Sequence, residues 1–385
     1  MALFEVAHRV GSARTGVLRL AHGEVHTPAF VPLASNASVR GLDAPEVAGL
    51  GYEMVLGNTF HLFITPGHER IAALGGLHSF MGWDRPIITD SGGFQVFSMG
   101  HGSVAEEVKR RRGNSQSRIL AIEEEGVSFR AYTDGSERFM GPETSMEVQA
   151  ALGSDIALAV DECTPFHVDR DYTRRSMDRT HRWLHRCVAW QSEHGRDDQV
   201  LYGIVQGGVD QALRAESVAA IAGSGVDGIA IGGTLGENKE QMRQVLGWST
   251  ARLPEQPPRH LLGIGDVDDI VHAVGIGIDT FDCATPTRLA RHGTALVPDP
   301  ERRWRMDLTK AEWRDDPRPL YEGAASAHSR AYLHYLARGR ELTGARILTL
   351  HNLDFMARLM AGIRAAIRAG EWDAYAERVL AGQAP

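Results

Sequence analysis

The sequence predicts an α/β fold: a (β/α)8 barrel of the TIM type, with a hairpin insertion after the third strand and a C-terminal helical extension. Three observations predict it. Eight short apolar runs recur along the chain, each followed by Gly or a polar residue. Near-continuous apolar runs mark strands buried on both faces, as parallel strands are. Helical patterns separate most of the runs, and eight strand–helix units in about 260 residues suit such a barrel. The alternative is an open doubly wound sheet, but no Gly-x-Gly-x-x-Gly follows a first strand to support it.

In chain order, the runs place strands at Phe30–Leu33, Met54–Asn58, Pro86–Asp90, Ile156–Asp161, Leu201–Gln206, Gly228–Gly233, Leu261–Gly265 and Thr280–Cys283. Helices are expected over Ser145–Leu152, Tyr172–His194, Val209–Ala222, Lys239–Leu253 and Asp268–Gly275. The stretch Gly100–Met140 interrupts this alternation. It carries the basic run Lys109-Arg110-Arg111-Arg112, then an alternating segment, Gly126–Ser136, whose Asp134-Gly135 signals a hairpin. After the eighth strand, Ser329–Leu342 and Leu353–Ala369 read as helices, the second stopped by Gly370. The expected division is a catalytic barrel over 1–300, including the insertion 100–140, and a helical subdomain over 301–385.

Composition sets outer bounds. The chain has 385 residues, 43% hydrophobic, with 42 glycines, as a loop-rich α/β enzyme would. No apolar run approaches the roughly 20 residues that span a bilayer. The start, Met1-Ala2-Leu3-Phe4-Glu5, has no basic region leading into an apolar core. Three widely spaced cysteines, Cys163, Cys187 and Cys283, argue against a disulfide scaffold. A cytoplasmic protein without a membrane partner is therefore expected. The net charge of −8 does not advertise nucleic acid, so any such partner needs a local basic face. Lys109–Arg112, Arg288 with Arg291, and Arg302-Arg303 with Arg305 are the candidates, although such runs are often solvated loops.

In a barrel of this kind the strand C-termini form the rim that carries the active site. Here those ends bear Asn58, Asp90, Asp161, Gln206, Gly232-Gly233, Gly265 and Asp282. One Asp at a strand end usually caps the next helix. Three, each after a buried strand, are harder to explain that way. Asp282 opens the stretch Phe281–Gly293, which turns at Pro286 and holds Arg288 and Arg291. A carboxylate there can attack an electron-poor carbon, and arginines beside it can hold phosphates. Asp90-Ser91-Gly92-Gly93-Phe94-Gln95 adds a second carboxylate, a hydroxyl, two side-chain-free positions and a ring on which a flat base could stack. Asp161 could accept from the N–H edge of a guanine-like ring, with Gln206 and the Gly232-Gly233 backbone pairing its carbonyl. Asp282 as nucleophile with Asp90 as acid/base parallels a retaining glycosidase.

These residues make the sequence resemble the tRNA-guanine transglycosylase family. The matching segments are Gly57–Leu62, Trp83–Pro86, Asp90–Ser98, Asp161–Cys163, Gly203–Gly208, Asp279–Arg291 and Ser329–Leu333, which together span nearly the whole chain. The resemblance implies exchange of the wobble guanine of tRNA for a 7-deazaguanine, in bacteria 7-aminomethyl-7-deazaguanine, a queuosine precursor. It implies Asp282 as the nucleophile on ribose C1′ and Asp90 as general acid/base. It implies a base site of Ser91, Phe94, Asp161, Cys163, Gln206, Gly232, Gly233 and Leu262. Arg288 and Arg291 would grip the anticodon loop, and Asn58, His61 and Gln95 would form a polar shell. A homodimer contact is implied for the helix carrying Tyr332 and Tyr335.

Three departures stand out. The family's zinc cysteines fall at Leu320, Glu322 and Ala325, so only the histidine, His351, remains. Four-coordinate zinc cannot be built from that set, and no cofactor is expected. Leu320, Tyr321 and Ala324-Ala325 are expected to pack as an apolar plug instead. A weaker alternative is a metal held by Glu322, His328 and His351. The pocket loop Gly232-Gly233-Thr234-Leu235-Gly236-Glu237 is one residue shorter than the family's, which bears on the incoming base. Asp266 stands where a lysine is usual near phosphate. Three other readings stay open: a paralogue acting on DNA or another RNA, a non-catalytic RNA-binding subunit, and a generic barrel glycosidase.

Overall fold

The computed structural model describes residues 2–95, 119–164, 168–233 and 235–385. The basic run Lys109–Arg112 and Thr234 of the pocket loop lie outside these residues. The chain opens with an antiparallel sheet, β1 (Phe4–Val10), β2 (Ala13–Leu20) and β3 (Gly23–Thr27). The apolar-run pattern did not predict this sheet, because its strands alternate polar and apolar residues.

The barrel follows. Its first strand is two short segments, β4 (Ala29–Val31) and β5 (Leu33–Ala34), separated by Pro32. Then come β6 (Val55–Gly57), β7 (Ile87–Thr89), β11 (Ile156–Leu158), β12 (Val200–Val205), β13 (Gly228–Ile231), β14 (Arg259–Leu261) and β15 (Thr280–Asp282). All neighbours are parallel, and the sheet order is β4-β15-β14-β13-β12-β11-β7-β6-β5. Since β4 pairs with the last strand and β5 with the second, the sheet closes on itself as an eight-position barrel. Proline has no N–H to give; the Pro32 carbonyl still accepts from Leu56 N at 2.9 Å, so the seam stays bonded.

The seventh strand departs most from the apolar-run expectation, while the others differ from it by one to three residues at their ends. The seventh strand is Arg259-His260-Leu261, and 262–265 already belong to the rim. Two polar residues occupy this buried strand, and most of their polar atoms find partners there, although Arg259 Nε has none among the described residues. Arg259 donates to the carbonyls of Gly277 and Pro254, and His260 bonds Thr280 and Asp282.

Two apolar layers hold the barrel. Inside it, Val31, Leu56, Ile88, Ile156, Leu158, Tyr202, Ile204 and Ala230 pack with Phe4, Leu18 and Val25 of the opening sheet, which thereby stoppers one end. Below the eighth strand, buried Arg14 meets buried Asp279 through both guanidinium branches, at 2.8 and 2.5 Å. At the same end Asp155 accepts from His22 N, the His22 ring and Ile87 N, stitching sheet to barrel.

The crossover helices begin at side-chain caps that satisfy free N–H groups. Asn58 caps α2 (Thr59–Ile64), Asp169 caps α6 (Arg170–His194), Asp210 caps α7 (Gln211–Ala222) and Asn238 caps α8 (Lys239–Thr250). The others are α1 (Ala44–Gly49), α3 (His68–Ala73), α4 (Gly76–Met81), α5 (Pro142–Leu152), α9 (Val267–Gly275) and α10 (Thr285–Arg291). The insertion contributes β8 (Ile119–Ile122), β9 (Val127–Arg130) and β10 (Glu137–Met140). The hairpin forms where Asp134-Gly135 signalled it, with Gly135 at φ 72° in a longer turn that pairs Arg130 with Glu137.

After the short pair β16 (Thr294–Leu296) and β17 (Arg305–Asp307) come α11 (Arg330–Gly339), α12 (Leu342–Ala369) and α13 (Trp372–Leu380). Helix α12 starts well before the expected Leu353 and shares the main core with Phe30 and Phe281 through Leu353, Phe355, Met356 and Leu359. Among the described residues, no helix is long and apolar enough to cross a membrane.

Candidate active site

Every barrel strand ends on the same rim, so the side chains just past β6, β7, β11, β12, β13 and β15 converge there. Asp90 follows β7. Its Oδ2 accepts from Asn58 Nδ2 at 2.5 Å and Gln95 Nε2 at 3.2 Å, and its Oδ1 accepts from Thr59 N at 2.9 Å. Desolvation dominates these donors, and with help from the Asp282 charge it raises the Asp90 carboxyl to about 7. An acid balanced near neutrality can both give and take a proton.

Asp282, the last residue of β15, is buried. Its Oδ1 accepts from Gly263 N at 3.0 Å and lies 3.2 Å from His260 Nε2. His260 lies just before the expected strand Leu261–Gly265, so the apolar pattern does not point to it. The available signal was its parity: it faces Thr280 across β14 and β15, and Thr280 is two residues before Asp282 on the same face.

Asp161 forms the other wall. Its Oδ2 accepts from Gln206 Nε2 at 2.5 Å and its Oδ1 from Ser91 Oγ at 3.3 Å. Burial outweighs both bonds and lifts its carboxyl to about 6. Backbone packs closely here: a Cβ on Gly93 would sit 2.7 Å from the Asp161 carbonyl, and one on Gly232 would sit 2.8 Å from Ile204 Cγ2. Gly233, at φ 76°, passes so near Gln206 that a side chain would collide with its amide. Arg214 underlies this wall, fully buried, donating to the carbonyls of Gly208, Val205 and Gly232. It ties the two pocket loops together, and sequence reading missed it because it looks like a surface residue of α7.

Phe94 follows Gly93 and is 47% exposed. Cys163 and Leu262 are half-buried beside the walls, Leu262 against the barrel-interior layer. His61 sits differently from a direct shell around Asp90. Its backbone N donates to Asn58 Oδ1, while its ring lies 3.1 Å from the Tyr132 hydroxyl of the insertion.

Arg288 and Arg291 are exposed on α10, bonded only to Thr285 Oγ1 and Thr287 O, and neither has a carboxylate partner among the described residues. Burial, then the charges of Arg40 and Arg288, lowers the Arg291 pKa. Arg40, in the loop after β5, is thus a third cation of this patch that the sequence reading missed. By contrast, Arg302 and Arg305 are engaged in ion pairs with Asp299, Glu312 and Asp266. Asp266 is also 3.6 Å from Lys239, so this carboxylate is partly neutralised inside the protein.

The segment that the resemblance aligns with a zinc site lacks thiolate donors here. Leu320 is buried with Leu308, Trp313, Leu333 and Leu348. His351 Nε2 lies 2.8 Å from the Leu296 carbonyl, and its ring meets Tyr321. Glu322, His328 and His351 form no cluster of converging donors. The residues do not fit a thiolate-bound zinc. In the expected apolar plug, Leu320 is the buried centre and Tyr321 and Ala324 pack at its edge, but Ala325 is exposed, because the turn before α11 faces solvent.

A closed (β/α)8 barrel with two buried carboxylates on one rim, an acid–amide pair in its wall and exposed arginines on the helix after its last strand defines a carboxylate-based barrel enzyme. The family pattern described as queuine tRNA-ribosyltransferase matches residues 9–385. The chain is 47% identical over 375 residues to a queuine tRNA-ribosyltransferase of Roseiflexus sp. (strain RS-1), covering 94% of each chain. It is 44% identical over 386 residues to that of Thiobacillus denitrificans, covering 99% of each. It is 45% identical over 363 residues to that of Pelotomaculum thermopropionicum, covering 93% of this chain and 92% of the other. The protein belongs to the queuine tRNA-ribosyltransferase family, a family of pentosyltransferases.

Proposed function

We propose that this protein exchanges the wobble guanine of tRNA for a 7-deazaguanine, with 7-aminomethyl-7-deazaguanine as the incoming base, through a covalent Asp282–ribose intermediate. In the first half-reaction an Asp282 oxygen bonds to C1′ as the C1′–N9 bond breaks. The electron pair leaves with guanine, and protonated Asp90 supplies the proton. In the second, ionised Asp90 takes the N9 proton of the incoming base, N9 bonds to C1′, and Asp282 departs as carboxylate. One pocket serves both bases, stacked on Phe94 and read by Asp161, Gln206 and Gly233. The anticodon-loop phosphates lie on Arg288 and Arg291.

The observation that carries this reading is that two buried carboxylates, Asp90 after β7 and Asp282 at the end of β15, share one barrel rim, each held by defined donors. It gives one rim an acid near neutrality beside a second carboxylate. A non-catalytic subunit has no need of that pair. The protein is read as a cytoplasmic homodimer; Tyr335, 70% exposed, and Leu342, 85% exposed, supply apolar surface on the C-terminal helices. The test is incorporation of labelled guanine by purified protein. Label entering unmodified tRNA is expected. Label entering only DNA would transfer the chemistry to another substrate, and label entering neither would refute the reading.

A further inference from the structure

We infer that His260, backed by Thr280, is a positioning residue that pins Oδ1 of Asp282 and leaves Oδ2 as the oxygen that bonds to ribose. This rests on the reading of Asp282 as nucleophile.

The ring lies along the seam of two parallel strands. His260 and Thr280 are in register, and Asp282 follows Thr280 on the same face, so one imidazole spans both. His260 Nδ1 is 2.9 Å from Thr280 Oγ1, and Nε2 is 3.2 Å from Asp282 Oδ1. The histidine is 0% exposed, so its ring is held between these two partners inside the barrel. An ionised carboxylate only accepts, which places a proton on Nε2. In the neutral ring Nδ1 then accepts from the Thr280 hydroxyl, and that bond fixes the tautomer.

Gly263 supplies the second donor. Its φ of 74° is a left-handed turn conformation, and its N–H reaches the same Oδ1 at 3.0 Å. Both donors therefore fall on one oxygen. Among the described residues none donates to Oδ2. Rotating the carboxylate would break two hydrogen bonds, so the two oxygens are chemically distinct before substrate arrives.

The asymmetry has different consequences in the two half-reactions. When Oδ2 bonds to C1′, Oδ1 becomes the ester carbonyl and loses negative charge. When the incoming base displaces the ester, charge returns to the carboxylate and the two N–H bonds on Oδ1 strengthen. Donors that bind most tightly as charge develops accelerate that step. His260 therefore orients attack in the first half-reaction and stabilises the leaving carboxylate in the second. The proton that Asp90 gives to guanine is restored from N9 of the incoming base, so over the cycle only the two bases change places.

The test compares His260→Phe and His260→Gln in the full chain, with unmodified tRNA and labelled guanine. His260→Phe should lower kcat by about 10- to 100-fold, with KM for tRNA within about two-fold of wild type, the size expected for one charge-assisted bond made stronger in the transition state. During turnover, a larger fraction of the variant should be caught as a denaturation-resistant RNA adduct. His260→Gln, whose amide N–H can reach the same oxygen, should recover most of the loss. Thr280→Val provides a second variant should His260→Phe fail to fold, with the same change in smaller measure. A folded His260→Phe with wild-type kcat, equal loss in the Phe and Gln variants, or no rise in steady-state adduct would each overturn the inference. Asp282→Asn separates the two readings: adduct surviving in that variant removes the nucleophile itself. An Asp282-dependent adduct unaffected by His260→Phe removes only the role of His260.

Discussion

Gln206 gives its amide N–H to Asp161 Oδ2 at 2.5 Å, and in doing so leaves its own Oε1 buried with no hydrogen-bond partner among the described residues. A buried unsatisfied acceptor costs about 1–3 kcal/mol, so it is retained only where something else completes it. It lies at the edge of Gly233, whose lack of a side chain keeps the space before it open. Gly233→Ala should therefore raise KM for guanine at least ten-fold. The new methyl would collide with Gln206 and the backbone is left-handed there, so titration of guanine against the variant is a direct check. An unchanged KM would place the base elsewhere.

Asp282→Asn should abolish exchange while leaving RNA affinity within about two-fold. The amide keeps an acceptor for His260 and Gly263 but is a poor nucleophile. Turnover and filter binding on the same preparation decide it, and robust turnover removes Asp282 from its role.

Asp90 predicts opposed pH limbs. Formation of the adduct needs the protonated acid and should fall as pH rises through about 7, where desolvation and the Asp282 charge set the carboxyl. Breakdown by incoming base needs the carboxylate and should rise with pH. Its limb should lie lower, because esterified Asp282 no longer carries the charge that raises Asp90. Single-turnover rates of each half-reaction from pH 5 to 9, a window of about two units either side of that value, test this; two limbs of the same sign would contradict it.

Replacing Arg288 or Arg291 by Ala should weaken tRNA binding by roughly 1–3 kcal/mol, the scale of charge-assisted hydrogen bonds. The salt slope should also fall by about one for each phosphate that is no longer neutralised. Arg40→Ala should add to this effect, since Arg40 shares the field of Arg291. Binding isotherms across salt concentrations read it out, and an unaltered slope in the double Arg288/Arg291 variant would return both to ordinary surface residues.

The C-terminal plug should be independent of metal. Leu320→Ala should cost about 2–5 kcal/mol, as large-to-small changes in a packed cluster do, and a chelator should leave the melting temperature of the wild type unchanged. Chelator-induced unfolding, or stoichiometric zinc by elemental analysis after gentle purification, would show that the segment is held another way.

The sequence alone determined the barrel, because strands buried on both faces are mostly apolar and helical patterns separate them. It also determined Asp90, Asp161 and Asp282 as rim residues, since a strand end fixes which side of the barrel a residue serves. The early start of α12 escaped it. What only the tertiary structure decided is which atoms meet. His260 lies just outside the apolar run that marks the strand, and its meaning appears only when Thr280 and Asp282 lie beside it. Arg214 reads as surface until α7 packs its guanidinium under two loop carbonyls. Arg40 lies 248 residues from Arg288 in sequence, yet barrel closure brings it within range of the same helix end. Periodicity reports burial one residue at a time, whereas charge pairing, tautomer and the choice between two carboxylate oxygens depend on partners that only the closed sheet supplies.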